Sequence, residues 1–475
     1  MDKGHIVRPL YQNKESQKDI ILNNKQRDFD AQKRSLKNCS VDIKEWAYEI
    51  KLTDEEQRKY DATDANQKIM YGWMMAPTRL TNRLIGKLRS VYSVDACHAK
   101  TELGGTFFLL CAEDSNDNII TLGVAFFYDN ESSHTWSLFL SFMKEVYPSL
   151  NHGKSLFIAD GDKGFKEVFK LVFPLAHRLF CMKHMLNPDK HVTAKDKALY
   201  KEAAGSANVD QIYQAFSQIS ESQRLKWEKA GINIVEMFPG LIPDISWGKT
   251  TSSCIESLNN AYVPIRYLHS VDALVETINR ETRKMASNKS VAMACVDTIP
   301  PRSGRGHLST LMANSNRMAN VSQVKTTNNQ YLWSVVTSLE DNKFSNHVCT
   351  IKDTYCSCKK PQMTQKPCWH KVRTGIEVSM PGDAVFGSYF TTAWWQNQYV
   401  DLPGVMPLST YDWSFKKEGD VIMPFAAKRG RGRPKDHTRI KGRHEIFANV
   451  AKARGKTMGQ VTQSKNGNTM VSKKL

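Results

Sequence analysis

Two aspartates that close strand-like runs, and one glutamate far downstream, have the clearest claim on chemistry in this sequence. Asp95 ends the β-branched run in SVDACHAK, and Asp160 ends the apolar run in LFIADGDKGF. Two carboxylates at one sheet edge can share Mg²⁺ or Mn²⁺. Two such ions about 3.5–4 Å apart can activate the attacking oxygen of a phosphodiester cleavage and stabilise the leaving one. Glu256, in TTSSCIESLNNAY, is the expected third carboxylate, because it follows a helical stretch and opens a returning helix. Asp162 rivals Asp160 for the second position; strand-end geometry favours Asp160 and leaves Asp162 as a helix N-cap. An Asp at a strand end is more often a turn former, so the assignment rests on the set rather than on any member.

Cysteine and histidine make two further clusters. In HRLFCMKHM, His177, Cys181 and His184 offer three ligands, one short of a closed zinc site. A buried Cys whose His partners support the carboxylate edge is the preferred reading. Farther on, Cys356-Ser-Cys358, nine residues, then Cys368-Trp-His370 supply four ligands. Tight pairs at both ends of a short loop suit one tetrahedral Zn²⁺.

The elements that must position these groups follow from apolar periodicity. VYSVDA, TFFLLCAED and IITLGVAFFYD read as three strands, the last two joined as a hairpin through SNDN. Trp136, Phe139, Leu140, Met143 and Val146 fall at helical spacing after Ser132 or Ser133 as N-cap. SLFIAD is a strand, Phe165, Val168, Phe169 and Val172 mark a second amphipathic helix, and HRLFC is another strand. The order β-β-β-α-β-α-β is that of the α/β ribonuclease H fold, in which the first and fourth strands are neighbours. The expected division is residues 1–90, mostly helical and DNA-contacting; 91–185, the first part of the ribonuclease H-like core; and 186–245, a helical insertion. Residues 246–300 return to the core with Glu256, 301–425 hold the zinc region, and 426–475 form a basic tail without apolar periodicity, disordered until bound.

The chain has 475 residues, enough for two or three domains, and 41% hydrophobic with 24% charged residues places it among ordinary globular proteins. Its net charge of +18 favours a polyanionic partner. From Lys428 onward there are 14 Lys and Arg against Asp436 and Glu445, so the tail holds most of that excess. Within it Arg429, Arg431, Gly432, Arg433, Pro434 and Lys435 form an extended Gly-Arg-Pro segment suited to a narrow A·T minor groove, or equally to a nuclear-localisation signal. No apolar run is long enough for a membrane span, and the first residues lack a secretory h-region. An intracellular, nuclear protein is expected, with its ten cysteines as thiols or metal ligands.

The blocks VDACHAKTELGGTFFLL, SSHTWSLFL, IADGDKGF, VFPLAHRLFCMKHM and TTSSCIESLNNAY resemble, in order and spacing, the Mutator-like element transposases. The resemblance spans roughly residues 90 to 435. It implies a DDE triad of Asp95, Asp160 and Glu256 holding two Mg²⁺ or Mn²⁺ ions, with the helical insertion in the 95 residues between the last two. It also implies active-site support from His98, His177, Cys181 and His184, and a SWIM-type zinc finger at Cys356, Cys358, Cys368 and His370. The implied activity is cleavage at transposon ends and joining of the freed 3′ hydroxyls to target DNA. The implied partners are double-stranded terminal inverted repeats and target DNA, bound by a homo-oligomer. One departure is Asp95-Ala96-Cys97-His98 where the family usually has Asp-Gly-Thr-His. The alternative is a domesticated, transposase-derived DNA-binding transcription regulator without catalysis. A ribonuclease on the same fold is disfavoured by the zinc cluster, the insertion and the tail.

Overall fold

The computed structural model describes residues 47–52, 68–101, 104–160, 164–187, 192–242, 247–313, 318–325, 332–340, 343–350, 355–377, 379–402 and 422–423. The chain separates into Met1–Ala426 and Ala427–Leu475. The second unit, with the Gly-Arg-Pro segment from Arg429 to Lys435, lies outside the described residues, as does Asp162.

An eight-stranded mixed sheet with helices organises the first unit. Its strands are β1 (Ala47–Leu52), β2 (Lys68–Ala76), β3 (Val91–His98), β4 (Thr106–Glu113), β5 (Ile119–Phe127), β6 (Leu156–Ala159) and β7 (His177–Phe180), with β11 (Ile422–Met423) beside β2. The spatial order is β1-β2-β5-β4-β3-β6-β7. The pairs from β1 to β3 are antiparallel; β3–β6 and β6–β7 are parallel. Parallel neighbours need crossovers, and helices α1 (Ser133–Val146) and α2 (Phe165–Val172) supply them. A small second sheet runs β10 (Lys343–Thr350), β9 (Leu332–Glu340), β8 (Met318–Lys325).

The expectation that residues 1–90 are mostly helical does not hold in their described part. There β1 and β2 extend the sheet beyond β5. Trp73, Met74 and Met75 are successive residues, all buried, so β2 is covered on both faces and carries no period of 2. Without that alternation a short apolar run is not distinguishable from a helix by pattern.

β4 has the same two-sided burial, from Thr106 through Ala112. On one face Phe108 meets Trp136 of α1 edge-on, with ring centroids 4.7 Å apart. Ser132 caps α1, its hydroxyl accepting from the Thr135 N–H while the Thr135 hydroxyl accepts from the Ser132 N–H. The other face is covered by α6 (Ser253–Ala261), and α7 (Ser270–Ala294) packs against the neighbouring β5. Between β7 and α6, α3 (Ala194–Gly205), α4 (Val209–Ser217) and α5 (Glu221–Lys229) enclose a separate core around Tyr200, Ile212, Trp227 and Phe238. Arg178 of β7, buried against the Phe180 ring, ties this body to the sheet through Glu236 at 2.9 Å.

After α8 (Gly306–Ala313), the second sheet and α9 (Trp369–Glu377), the chain comes back to the main sheet as α10 (Thr392–Tyr399). Trp395 and Tyr399 belong to the main core, so the region assigned to the zinc finger includes a helix that completes the large domain. Asp114, fully buried in the β4–β5 turn, secures it. Its carboxylate accepts from Trp395 Nε1 at 2.8 Å, Tyr399 OH at 2.7 Å and Asn118 Nδ2 at 2.8 Å, and from the Asn116 and Asn118 N–H groups at 2.8 Å each. Replacing it by Ala strands the Trp and Tyr donors without water. Asp114→Ala is therefore expected to lower stability by about 2–4 kcal/mol in chemical denaturation. An effect below about 0.5 kcal/mol would show that the Asp114 carboxylate is dispensable for seating α10.

Candidate functional site

The carboxylate pair is a product of strand register. Ser93 of β3 lies opposite Ile158 of β6, and Asp95 and Asp160 each come two residues later. In parallel neighbours about 4.8 Å apart, equal offsets put the two positions side by side at one edge. Alternation also gives them the same face. Tyr92 stacks near Phe157, which packs on Phe169 of α2, so those even and odd positions face α2. Ser93 faces the other way, its hydroxyl accepting from the Cys254 thiol of α6 at 2.9 Å. Asp95 and Asp160, each two residues beyond a residue of that face, share the face under α6.

Asp95 is held by two donors: the Ala96 N–H to Oδ1 at 2.9 Å, and Asn259 Nδ2 of α6 to Oδ2 at 2.5 Å. Burial pushes its carboxyl up to about 7, and the charge of Asp160 adds to this, with Glu131 contributing as well. The two hydrogen bonds work against the rise without cancelling it. Glu131 precedes α1, where it accepts from Trp136 Nε1 at 3.3 Å, and was not singled out from sequence because nothing in its spacing links it to Asp95. Gly164, just before α2, has φ of +87°; a Cβ there would overlap Ser133, so its close approach to the start of α1 requires glycine.

Glu256 lies in the first turn of α6, partly exposed, and pairs with Lys183 at 2.7 Å. Among the described residues, only Cys356, Cys358, Cys368 and His370 gather three or more ligand atoms within 4.8 Å of one another; Asp95, Asp160 and Glu256 do not gather so tightly. The fit to a hard divalent cation is nonetheless chemical: two adjacent carboxylates, one destabilised in its charged form by the other, beside a buried Asn259 Oδ1 that has no hydrogen-bond partner.

The four supporting positions separate. Cys181, buried just past β7, accepts from the Ser252 N–H at 3.3 Å and so joins β7 to the residue that starts α6. Burial alone would raise its thiol, but interaction with His184 and Ser252 pulls it down to about 7. His184, one helical turn on, is raised by Cys181 and feels the charges of Asp160 and Asp95. His177 pairs with Leu156 at the far end of β6, three residues from the Ala159–Phe180 pair, or about 10 Å along the strands. His98 ends β3 exposed, and its carbonyl accepts from Arg266 Nε at 2.8 Å. Cys181 and His184 thus adjoin the carboxylate edge, and His177 does not.

The second cluster is compact. His370 Nδ1 lies 3.6 Å from the Sγ atoms of both Cys356 and Cys368. Burial opposes ionisation of Cys368, while hydrogen bonds from Cys349, Cys356, Cys358 and His370 favour its thiolate; the same contacts push the thiols of Cys349, Cys356 and Cys358 up, so that the cluster holds one thiolate readily and further ones at a cost. Three sulfurs and one imidazole nitrogen suit Zn²⁺. The structure adds a neighbour that the spacing did not reveal: Cys349 of β10, fully buried, with Sγ 3.2 Å from that of Cys356. The strand-like bridge between Cys349 and Cys356 brings them together across a loop. Tetrahedral coordination is filled without it.

Comparison with protein families matches residues 91–188 to the MULE transposase domain. The match runs from β3 past β7 and takes in Asp95, Asp160, Cys181 and His184; Glu256 and the Cys/His cluster lie beyond it. No curated protein matches the chain.

Two measurements check this geometry. Elemental analysis of the purified protein is expected to find about one zinc per chain, lost in Cys368→Ser and kept in Cys349→Ser; loss in both would make Cys349 a ligand. The second concerns acidity. The folded state retains a proton on Asp95 that the unfolded chain releases near 3.8, so Asp95 withdraws stability as pH rises from about 4 to about 7. Asp95→Asn cannot ionise. Without added divalent cation, its melting temperature relative to wild type is expected to climb between about pH 4 and pH 7 and then level off; a pH-independent difference would remove the shift.

Proposed function

We propose that this chain is a DNA transposase of the Mutator-like class. The MULE transposase domain at residues 91–188 gives the chain a transposase-related function. The observation that carries the finer reading is the equal offset of Asp95 and Asp160 on β3 and β6. Three antiparallel strands followed by parallel strands, with helices as crossovers, is the arrangement of ribonuclease H-like nucleases, whose reaction needs carboxylates at that edge.

On this reading Asp95, Asp160 and Glu256 hold two Mg²⁺ or Mn²⁺ ions. When bound, these supply charge that activates an attacking oxygen and stabilises the leaving oxygen of a phosphodiester. The protein's own contributions are positional. β3 and β6 fix the first two carboxylates, and the Cys181 link to Ser252 seats the helix that brings Glu256. Lys183 holds Glu256 through a largely solvent-exposed ion pair, which contributes little energy and is easily exchanged. Water and then a freed 3′ hydroxyl are the expected nucleophiles, at transposon ends and target DNA respectively. Cys356, Cys358, Cys368 and His370 are read as a SWIM-type zinc finger, and the segment Arg429 to Lys435 as a minor-groove contact. A nuclear location, with a homo-oligomer on DNA, belongs to the same proposal.

A second reading, a DNA-binding transcription regulator that keeps the domain without cleavage, would leave the Lys183–Glu256 pair in place. One assay separates the two. With Mn²⁺ and a duplex carrying terminal inverted repeats, Asp95→Asn, Asp160→Asn and Glu256→Gln are each expected to reduce strand cleavage by roughly a hundredfold or more with DNA binding retained. Full activity in Asp160→Asn sinks the carboxylate pair. Binding by wild type with no cleavage on its own repeats selects the regulator.

A further inference from the structure

On the reading above, Glu256 is not the only group that α6 brings to bear on the carboxylate edge. Asn259 follows it by three residues, so the two share one helix face. From there Asn259 reaches across 164 residues of sequence to donate Nδ2 to Asp95 Oδ2 at 2.5 Å. That bond turns the amide nitrogen to Asp95 and its oxygen elsewhere. That oxygen, Oδ1, is buried and has no hydrogen-bond partner. The other Asp95 oxygen is taken by the Ala96 N–H, so Asn259 is the side chain that fixes the carboxylate's orientation.

A buried amide oxygen left unpaired costs about 1–3 kcal/mol. On an amide held against Asp95, it has the chemistry of a hard oxygen donor, of the kind that Mg²⁺ and Mn²⁺ take from carboxylates, amide carbonyls and water. Resting on the carboxylate reading above, we propose that Asn259 is a positioning residue of the divalent-cation site: its Nδ2 orients Asp95, and its Oδ1 completes the oxygen donors offered to the cation. Glu256 and Asn259 then act from one turn of one helix, and seating α6 sets both.

Mn²⁺ binding to the full-length, zinc-loaded protein, followed by electron paramagnetic resonance of the free ion, tests this apart from turnover. Asn259→Ala is expected to weaken binding about 10- to 100-fold. Asn259→Asp keeps an oxygen at the same place and is expected to bind Mn²⁺ more tightly than Asn259→Ala while melting below wild type when no divalent cation is added, because a third carboxylate then joins Asp95 and Asp160. Asn259→Ala binding Mn²⁺ as wild type does, alongside an Asp95→Asn that has lost it, overturns the role of Asn259 and leaves the carboxylate site standing. Wild type that binds no Mn²⁺, or an Asp95→Asn that binds it unchanged, overturns the site itself. Should Asn259→Ala fail to fold, a folded Asn259→Asp without Mn²⁺ binding overturns the oxygen-donor role on its own.

Discussion

The parallel pairing of β3 with β6 is the constraint on which the rest of the candidate site depends. Two residues past the Ser93–Ile158 pair, the chain must place two carboxylates side by side on one face. A parallel neighbour cannot be reached by a tight turn, so the intervening chain must cross over, and α1 does this on the opposite face. The same alternation that hides Tyr92 and Phe157 beneath α2 therefore leaves Asp95 and Asp160 for α6. A slip of one residue in β6 would send Asp160 into the aromatic core. The aromatic contacts from Phe157 to Phe169 and Phe173, at 5.1 and 5.0 Å, thus guard the register as well as fill space.

Around this pair, buried polar groups join segments that lie far apart in sequence. Asp114 gathers α10 to the β4–β5 turn, and Cys181 gathers the start of α6 to the end of β7. Arg89, about 1% exposed, is ringed by Asp117 and Glu113 and lies over the Tyr389 and Phe390 rings. Lys366, from the loop between the two halves of the Cys/His cluster, meets the same Asp117 at 3.5 Å. The charge of Arg89 is matched by acids and covered by rings, and in a low-dielectric interior a partner removed from such a group is felt strongly. Through this junction the loop that carries the cluster is continuous with the strand hairpin of the large sheet.

The parts of the molecule legible in sequence are those where local pattern and tertiary role coincide. The order of strands and helices from Val91 to Phe180 follows from apolar periodicity, because each element there has a distinct period or a bounded apolar run. The Cys356–His370 cluster follows from spacing, because tight ligand pairs leave few other geometries. β2 was not legible: buried on both faces like β4, it lacks alternation, and it has Gly72 and three methionines where β4 has an unbroken run of Phe and Leu. Nor were Cys349, Glu131 and Asn259, whose roles come from contacts made by folding rather than from neighbours in sequence. His177, for its part, shared a motif with Cys181 and His184, yet a strand of four residues carries its two ends about 10 Å apart.

The electrostatics of the edge oppose drawing the three acids close together. Two partly buried carboxylates side by side repel, and the protein relieves this with a proton at Asp95 near neutral pH, while Glu256 is balanced separately by Lys183. Both forms of relief are reversible: the proton leaves near pH 7, and the lysine pair is solvent-exposed. A dication among these oxygens would replace both, since it supplies the charge that the proton and the lysine now provide. The fold has therefore fixed rigidly what must not vary, the β3–β6 register and the seat of α6. What remains adjustable is the charge balance, held by groups that a cation can displace.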